Sequence, residues 1–366
     1  MTTASEASEP EHARVADDSV FAHPEFTADP PHEQVIFCRD ATSGLHAIIA
    51  VHSTALGPAL GGTRFYPYRS EAQALGDVLR LSRGMTFKAA AAGLRLGGGK
   101  AVIIGDPATG KSAELLRTYG RFVDTLGGRY ITAADVGTAA DDMDLIGETT
   151  EHVAARNKAR GGSGDTAPMT ALGVFRSLSA ATERVWGSAD LTGRVVGVEG
   201  VGKVGAQLTG MLLAAGARVV AADPSPAATA ALRGRFPSVT ITGDVRDEAI
   251  DIFAPCALGG TVTPESARRT TAEIICGAAN NQLSGHAVEG ELTSRGVVWI
   301  PDYIANAGGL IQAFGEREGE TAEQVRDKVC ALQARVERVL DISAQHRIST
   351  GDAARLLVAE RLSKAA

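Results

Sequence analysis

Two lysines stand out for their surroundings. Lys88 ends Gly84-Met85-Thr86-Phe87-Lys88, and Lys100 ends Gly97-Gly98-Gly99-Lys100; their neighbours (Ala89–Ala92, Leu94, Leu96) are apolar rather than charged. A lysine in such a setting either points out to solvent or is held to bind an anion. The three glycines favour the second for Lys100, because they strip side chains from where a ligand would come close. Partial burial and a second nearby cation both lower a lysine pKa towards neutrality, which makes it usable as an acid or base. Asp135, in Thr132-Ala133-Ala134-Asp135-Val136-Gly137, follows an expected strand, where open α/β sheets put working residues. A turn-forming Asp before Gly137 is the plainer alternative.

Two further segments have the form of phosphate loops. Gly105-Asp106-Pro107-Ala108-Thr109-Gly110-Lys111-Ser112 matches GxxxxGK[ST], with an expected strand before it and helix after it. A P-loop nucleoside triphosphatase is therefore a competing reading. Its cradle is made of backbone N–H groups, however, and Pro107 has none, while Asp106 sets a negative charge beside the phosphates. A surface turn with Ser112 capping the next helix fits better. The second segment, Gly200-Val201-Gly202-Lys203-Val204-Gly205, follows an apolar strand and opens a helix, and the next strand ends in Asp223, 23 residues past Gly200. Strand, turn, helix and acid at that spacing form a dinucleotide site in which the acid accepts from the adenosine ribose. Asp223 would repel a 2′-phosphate and Pro224-Ser225 supplies no arginine for one, so NAD is expected rather than NADP.

The elements that must position these groups read as alternating strands and helices. Strands are expected at Val35–Arg39, Leu45–Val51, Ala101–Ile104, Tyr130–Ala133, Arg194–Val198, Arg218–Ala222, Asp251–Phe253, Glu273–Cys276 and Val297–Ile300. Helices are expected at Glu71–Ala92, Ser112–Leu126, Thr170–Val185 and Lys203–Ala215, and over most of the chain after about Thr321. Such alternation means βαβ units and parallel sheets. A chain of 366 residues is long for one core, and Gly161–Asp165 is the best boundary. Residues 1–33 carry eight acids and one base; taking those from the chain's 43 acids and 36 bases leaves 35 of each. The excess charge thus sits in an acidic tail expected to be disordered. A neutral body without a basic stripe argues against nucleic acid. No stretch suits a membrane span or signal peptide, so a cytoplasmic protein is expected. Cys38, Cys256, Cys276 and Cys330 lie far apart without metal-ligand spacing, and no metal is expected.

Taken together, Leu56–Arg64, Gly84–Lys88, Gly97–Lys100, Asp135–Thr138, the Gly200 turn, Ala278-Ala279-Asn280-Asn281 and Pro301–Gly309 resemble the amino-acid dehydrogenases acting on leucine, valine and phenylalanine. Through His52–Tyr68 and Gly277–Leu283 the likeness is nearest to the actinobacterial valine-acting members. The resemblance runs from about residue 33 to the C-terminus. It implies an α/β fold of two domains separated by a cleft: a substrate domain with a mixed sheet (34–168, with the C-terminal helix of about 335–366 packed back on it) and a Rossmann-type NAD domain with a parallel sheet (169–334). It implies that Lys88 binds the substrate carboxylate, that Lys100 is the general acid/base, and that Asp135 handles the amino-group proton. Gly61 and Gly62 would let substrate approach the backbone, and Leu60, Ala133, Leu310 and Ala313 would line the side-chain pocket. Thr170 would meet the nicotinamide amide, Asn280 would bridge cofactor and substrate, and Gly200, Gly202, Lys203, Val204, Gly205, Asp223, Ala257 and Leu258 would hold NAD. The implied reaction turns an apolar L-amino acid, valine first and leucine or phenylalanine as alternatives, into the 2-oxo acid, ammonia and NADH, in a homo-oligomer. An NAD-binding regulatory protein without chemistry would leave Lys88, Lys100 and Asp135 unexplained.

Overall fold

The structure, a computed structural model, describes residues 20, 23–28 and 30–365. The chain builds two sheets in succession. The first holds β1 (Gln34–Asp40), β2 (Leu45–Ser53), β3 (Ala59–Tyr66), β4 (Gly97–Ile104) and β5 (Tyr130–Ala134), in the order β1-β2-β4-β3-β5. β1 and β2 pair antiparallel, as do β2 and β4, whereas β3 lies parallel to both β4 and β5. The second sheet holds β6 (Val195–Glu199), β7 (Arg218–Ala222), β8 (Thr240–Ile241), β9 (Ile252–Pro255), β10 (Ile274–Ile275) and β11 (Val298–Trp299). Its order is β11-β10-β9-β6-β7-β8, with every pair parallel. Counted from β6 this is the doubly wound order of dinucleotide-binding sheets, and its reversal between β6 and β9 opens a crevice at their carboxyl ends.

The expected alternation of strands and helices is present, with one omission that matters. β3 lies at the centre of the parallel part of the first sheet, although Gly61 and Gly62 depress its strand propensity. Burial decides otherwise: a Cβ on Gly61 would run into Gly99 O of β4, and one on Gly62 would come within 2.8 Å of Asp135 Cβ beyond β5. The expectation that Gly97–Gly99 clear a path for ligand is corrected in the same way. All three are buried strand residues. A Cβ on Gly98 would strike the Thr86 backbone N, and one on Gly99 would lie 2.7 Å from the Tyr130 ring. Gly98 lets the helix Glu71–Ala91 sit directly on β4, while Gly97 makes room for Ser53 O and Gly99 for the Tyr130 ring. That helix is opened by Ser70, whose side chain accepts the Gln73 N–H (3.1 Å), and closes at Gly93, which takes φ +77°.

The reading of residues 1–33 as a disordered tail is also corrected over its last part; residues 1–19, 21, 22 and 29 lie outside the described residues. Pro24–Thr27 form a helical turn, and Val20 and Phe26 pack on the cluster of Ile48, Leu75 and Leu79. His32 is buried, its Nε2 against Leu79 O (3.0 Å) and Ser82 Oγ (2.9 Å). Three knobs in an otherwise acidic segment give it something to bury. At the other end, the helix Leu332–His346 packs through Val336, Val339 and Leu340 into the cluster of Val174, Leu178 and Ala181 of the helix Ala167–Trp186. The single C-terminal helix expected at about 335–366 is thereby corrected to two: the last one, Thr350–Ser363, reaches back to the first half, where Arg361 donates to Leu94 O (2.8 Å). Among the described residues no helix is long and apolar enough to cross a membrane.

Close helix–strand contact at Gly98 predicts an unequal response to one added methyl group. Gly98→Ala is expected to destabilise by about 3 kcal/mol, because the clash is with backbone that cannot turn aside. Gly84→Ala, on the same helix with nothing within 4 Å, should be neutral or gain about 0.5–1 kcal/mol. Denaturant unfolding of the two variants checks both signs; equal effects would mean that the helix does not rest on β4.

Candidate functional site

Lys100 sits in mid-strand on β4 and is only 7% exposed, so its ammonium must find an anion inside the protein. It finds Asp135, just past β5: Nζ to Oδ2 is 2.7 Å. Between the two strands lies β3, which carries Gly61 and Gly62 at that level, so no side chain stands in the way. Arg64, also on β3, approaches the same oxygen through Nε (3.2 Å) and ties Asp77 of the helix Glu71–Ala91 through Nη1 (2.8 Å). Burial pushes the Asp135 carboxyl up, but Lys100 and Arg64 together outweigh it and hold it down at about 2. Thr138 fixes the loop, accepting the Asp135 N–H (2.9 Å) and donating to Thr63 O (2.8 Å).

Lys88 lies near the end of the helix Glu71–Ala91 and crosses to the second half of the molecule, donating to Asn280 Oδ1 (3.1 Å). Burial lowers it to about 8, the nearby Lys100 adding to that and Asp302 and Asp135 opposing it. The depressed lysine expected from the sequence is therefore Lys88. Leu60, Ala133, Leu310 and Ala313 are all buried in one apolar cluster that also holds Leu172, Ala307 and Phe314. Thr170 is half-buried on the helix Ala167–Trp186, donating to Thr166 O (3.1 Å), close to where a side chain on Gly309 would fall.

The second centre is the crevice between β6 and β9. Gly200 has φ +90°, and a Cβ there would lie 2.6 Å from Ala257 N. A Cβ on Gly205 would strike Gly200 O, so that glycine packs helix against strand. Gly202, the N-cap of the helix Lys203–Ala214, is exposed and has nothing within 4 Å. The first and third glycines thus shape the turn, and the second leaves open space at a helix N-terminus, as a pyrophosphate requires. Asp223 follows β7 directly and accepts Val201 N–H and Ser225 N–H, each at 2.8 Å. Lys203, Ala257 and Leu258 are exposed around the crevice, Leu258 by 80%, and Val204 is half-buried. These residues fit a bound dinucleotide.

The P-loop reading does not survive. Lys111 is ion-paired with Asp142 (2.7 Å), Asp106 Oδ1 accepts the Ala108 N–H (2.9 Å), and Ser112 accepts the Leu115 N–H as a helix cap (3.2 Å). Each group a phosphate would need is committed elsewhere. Sequence reasoning assigned no role to Arg64, Asp77, Asp302 or Asn306. Arg64, Asp302 and Asn306 all lie within segments singled out above. An acid inside the apolar run Trp299-Ile300-Pro301-Asp302-Tyr303-Ile304 was the available signal.

Comparison with known proteins agrees with this geometry. Residues 32–152 match the model for the Glu/Leu/Phe/Val dehydrogenase dimerisation domain, and residues 228–366 match that for Glutamate/Leucine/Phenylalanine/Valine dehydrogenase. The chain is 47% identical to a valine dehydrogenase of Streptomyces albus, over 91% of this chain and 93% of that one. It is 44% identical to a leucine dehydrogenase of Bacillus subtilis, over 91% and 92% respectively. The solved structure of an L-tryptophan dehydrogenase from Nostoc punctiforme superposes with a TM-score of 0.80 at 40% identity, covering 91% of this chain and 96% of that one.

The different surroundings of Gly200 and Gly202 make a prediction about the crevice. Gly202→Ala should leave the melting temperature within a degree or two, since its methyl meets nothing. It should weaken dinucleotide binding about tenfold or more by intruding where phosphates approach. Gly200→Ala should instead unfold at markedly lower temperature, through a strained φ and a backbone clash. Thermal melts beside cofactor-fluorescence titrations separate the two; tight binding by Gly202→Ala would place the phosphates elsewhere.

Proposed function

The chain belongs to the Glu/Leu/Phe/Val dehydrogenase family, and from that premise we propose that it catalyses the reversible NAD-dependent oxidative deamination of an apolar L-amino acid, valine first among them. Amino acid, NAD and water give the 2-oxo acid, ammonium, NADH and a proton. The observation that carries the reading is the convergence of Lys88, Lys100, Asp135 and Asn280 beside an uncharged apolar cluster. Those groups match, in turn, a carboxylate, an attacking water, an amine and an amide turned towards a cofactor. Residues 34–168 serve as the substrate half and 169–334 as the nucleotide half. Family membership through a dimerisation domain, and Phe37 exposed on the edge strand β1, support a homo-oligomer.

In this mechanism the Lys88 ammonium grips the substrate carboxylate. The substrate ammonium comes to Asp135, whose carboxylate is already held ionised, and takes the place of Lys100 as its partner. Lys100, freed from that ion pair, releases its own proton to solvent, and the substrate ammonium gives one up to solvent by way of Asp135, so that hydride leaves from the neutral-amine form. Lys100 then accepts a proton from the water that adds to the iminium carbon and returns it to the nitrogen as ammonia leaves. Gly200, Gly202 and Gly205 with the amides opening the helix Lys203–Ala214 hold the pyrophosphate, Asp223 the ribose, and Thr170 and Asn280 the nicotinamide end. NAD, when bound, accepts the Cα hydride. The apolar cluster of Leu60, Ala133, Leu310 and Ala313 receives the substrate side chain and keeps water from it.

Two tests follow, both read from NADH formation over a panel of amino acids. Lys100→Ala should lose about 10²–10⁴-fold in kcat while still binding NAD. Lys88→Ala should act mainly through KM, and Lys111→Ala should change neither, since its ion pair with Asp142 is structural. A dead Lys111→Ala beside an active Lys100→Ala would overturn the assignment. Asp223→Ser should narrow the preference for NAD over NADP by removing both a ribose acceptor and a repulsive charge. An unmoved preference would show that the acid does not face the ribose.

A further inference from the structure

The turn Gly277–Gln282, which presents Asn280, is tied down from one short stretch of chain. Asp302, 8% exposed at the start of the helix Asp302–Ala305, accepts the Asn281 backbone N–H through Oδ2. Asn306, one turn later, donates to Ala278 O (3.1 Å) and to Asn280 Oδ1 (2.9 Å). The same Asn280 oxygen accepts from Lys88. Asn281 takes φ +52°, in the left-handed region that strains a residue with a side chain, so an acceptor on its N–H keeps the turn from relaxing.

A neutral acceptor at 302 would hold that N–H too. A carboxylate is the costlier choice, because a buried charge needs compensation, and among the described residues no cation pairs with Asp302 directly. The cation whose field it feels is Lys88. Burial pushes the Asp302 carboxyl up, while Lys88 and the backbone amides of Asn281, Tyr303 and Asp302 itself pull it down. Three charged groups face Lys88: Asp302 from the helix Asp302–Ala305, Lys100 from β4 and Asp135 from beyond β5. Asp135 is already shared by Lys100 and Arg64, which leaves Asp302 as the acid with no other cation to serve.

We propose that Asp302 is a positioning residue for the deamination: its carboxylate fixes the Asn281 amide, so that Asn280 faces Lys88, and it sets a negative charge opposite the ammonium that grips the substrate carboxylate. The inference rests on the role given to Lys88 above. Without that charge Lys88 would lose its proton at lower pH, and substrate binding would fail in a range where it now works.

The test is the pH dependence of KM for the preferred amino acid in the full-length protein and in Asp302→Asn, Asp302→Glu and Lys88→Ala. Lys88 is lowered to about 8, so its grip is present below that pH and lost as pH rises through it. In Asp302→Asn the rise in KM should begin about one pH unit lower, making KM at pH 8 about fivefold higher and approaching tenfold higher above about pH 9. Asp302→Glu keeps the charge and should return the break to its original pH. A break that stays in place in Asp302→Asn overturns the proposal, as does one that moves equally in Asp302→Glu. Should Asp302→Asn fail to fold, Asp302→Ser, an uncharged acceptor, is read by the same criterion. An unchanged KM in Lys88→Ala would instead overturn the reading of Lys88 itself, so the two failures are distinct.

Discussion

A buried ammonium is tolerable only beside an anion, and the contact between Lys100 and Asp135 dictates much of the first half of this molecule. The two groups sit on strands separated by β3, so the strand between them must carry no side chain at that level, and it carries Gly61 and Gly62. Bringing Lys88 within electrostatic range of the pair requires the helix Glu71–Ala91 to lie almost on β4, and Gly98 permits that. Five glycines in two strands weaken those strands individually. The sheet holds because its flanks, Ile49, Val51, Phe65, Ile103 and Tyr130, are fully or almost fully buried.

Stability of the resting pair is also a restraint on chemistry. With Lys100 and Arg64 both upon it, Asp135 is held ionised in the resting site, and it becomes a stronger base only as Lys100 leaves it. In the proposed reaction its part is therefore electrostatic at the outset: it receives the substrate ammonium and releases Lys100. Lys88, by contrast, is pushed down by burial, and in the proposed reaction its protonation decides whether the substrate carboxylate is held. Two lysines close in space thus differ in duty because one has a carboxylate in contact and the other an amide.

How much of this was legible in the sequence follows from what each feature depends on. The GxGxxG turn with Asp223 is local: strand, turn and helix lie within about thirty residues, and the structure gives each glycine a distinct reason. Lys88, Lys100 and Asp135 were visible as residue types out of place, but the contact between two of them crosses a strand that propensity hides. β3 is missing from the expected strands because its glycines serve its neighbours. For the same reason Gly97–Gly99 were misread: three glycines signal a close approach, and sequence alone does not say whether a ligand, a helix (as at Gly98) or neighbouring strands and loops (as at Gly97 and Gly99) make it. The packed end of the acidic segment rests on Val20, Phe26 and His32, which composition averages away. Arg64 and Asp302 escaped because their importance comes from partners at separations of 71 and 21 residues.

In the proposed reaction, selection among substrates follows from the same core. Leu60 and Ala133 come from the first sheet, Leu310 and Ala313 from the helix Gly308–Glu318, and all four belong to one cluster with Leu172, Ala307 and Phe314. A pocket cut from such a cluster distinguishes side chains by volume, and one methylene in an apolar site is worth about 1–3 kcal/mol. On the proposed function, discrimination among valine, leucine and isoleucine is thus graded and moves with any wall residue. Rejection of an acidic side chain is steeper, because its carboxylate would be buried with nothing among these residues to pair with it. Since the walls come from the sheet that carries Lys100 and from a helix beyond the nucleotide sheet, a change of wall volume also changes how the two halves meet. Specificity and closure of the site are then one packing problem, and substitutions that widen the pocket should be judged by their effect on both.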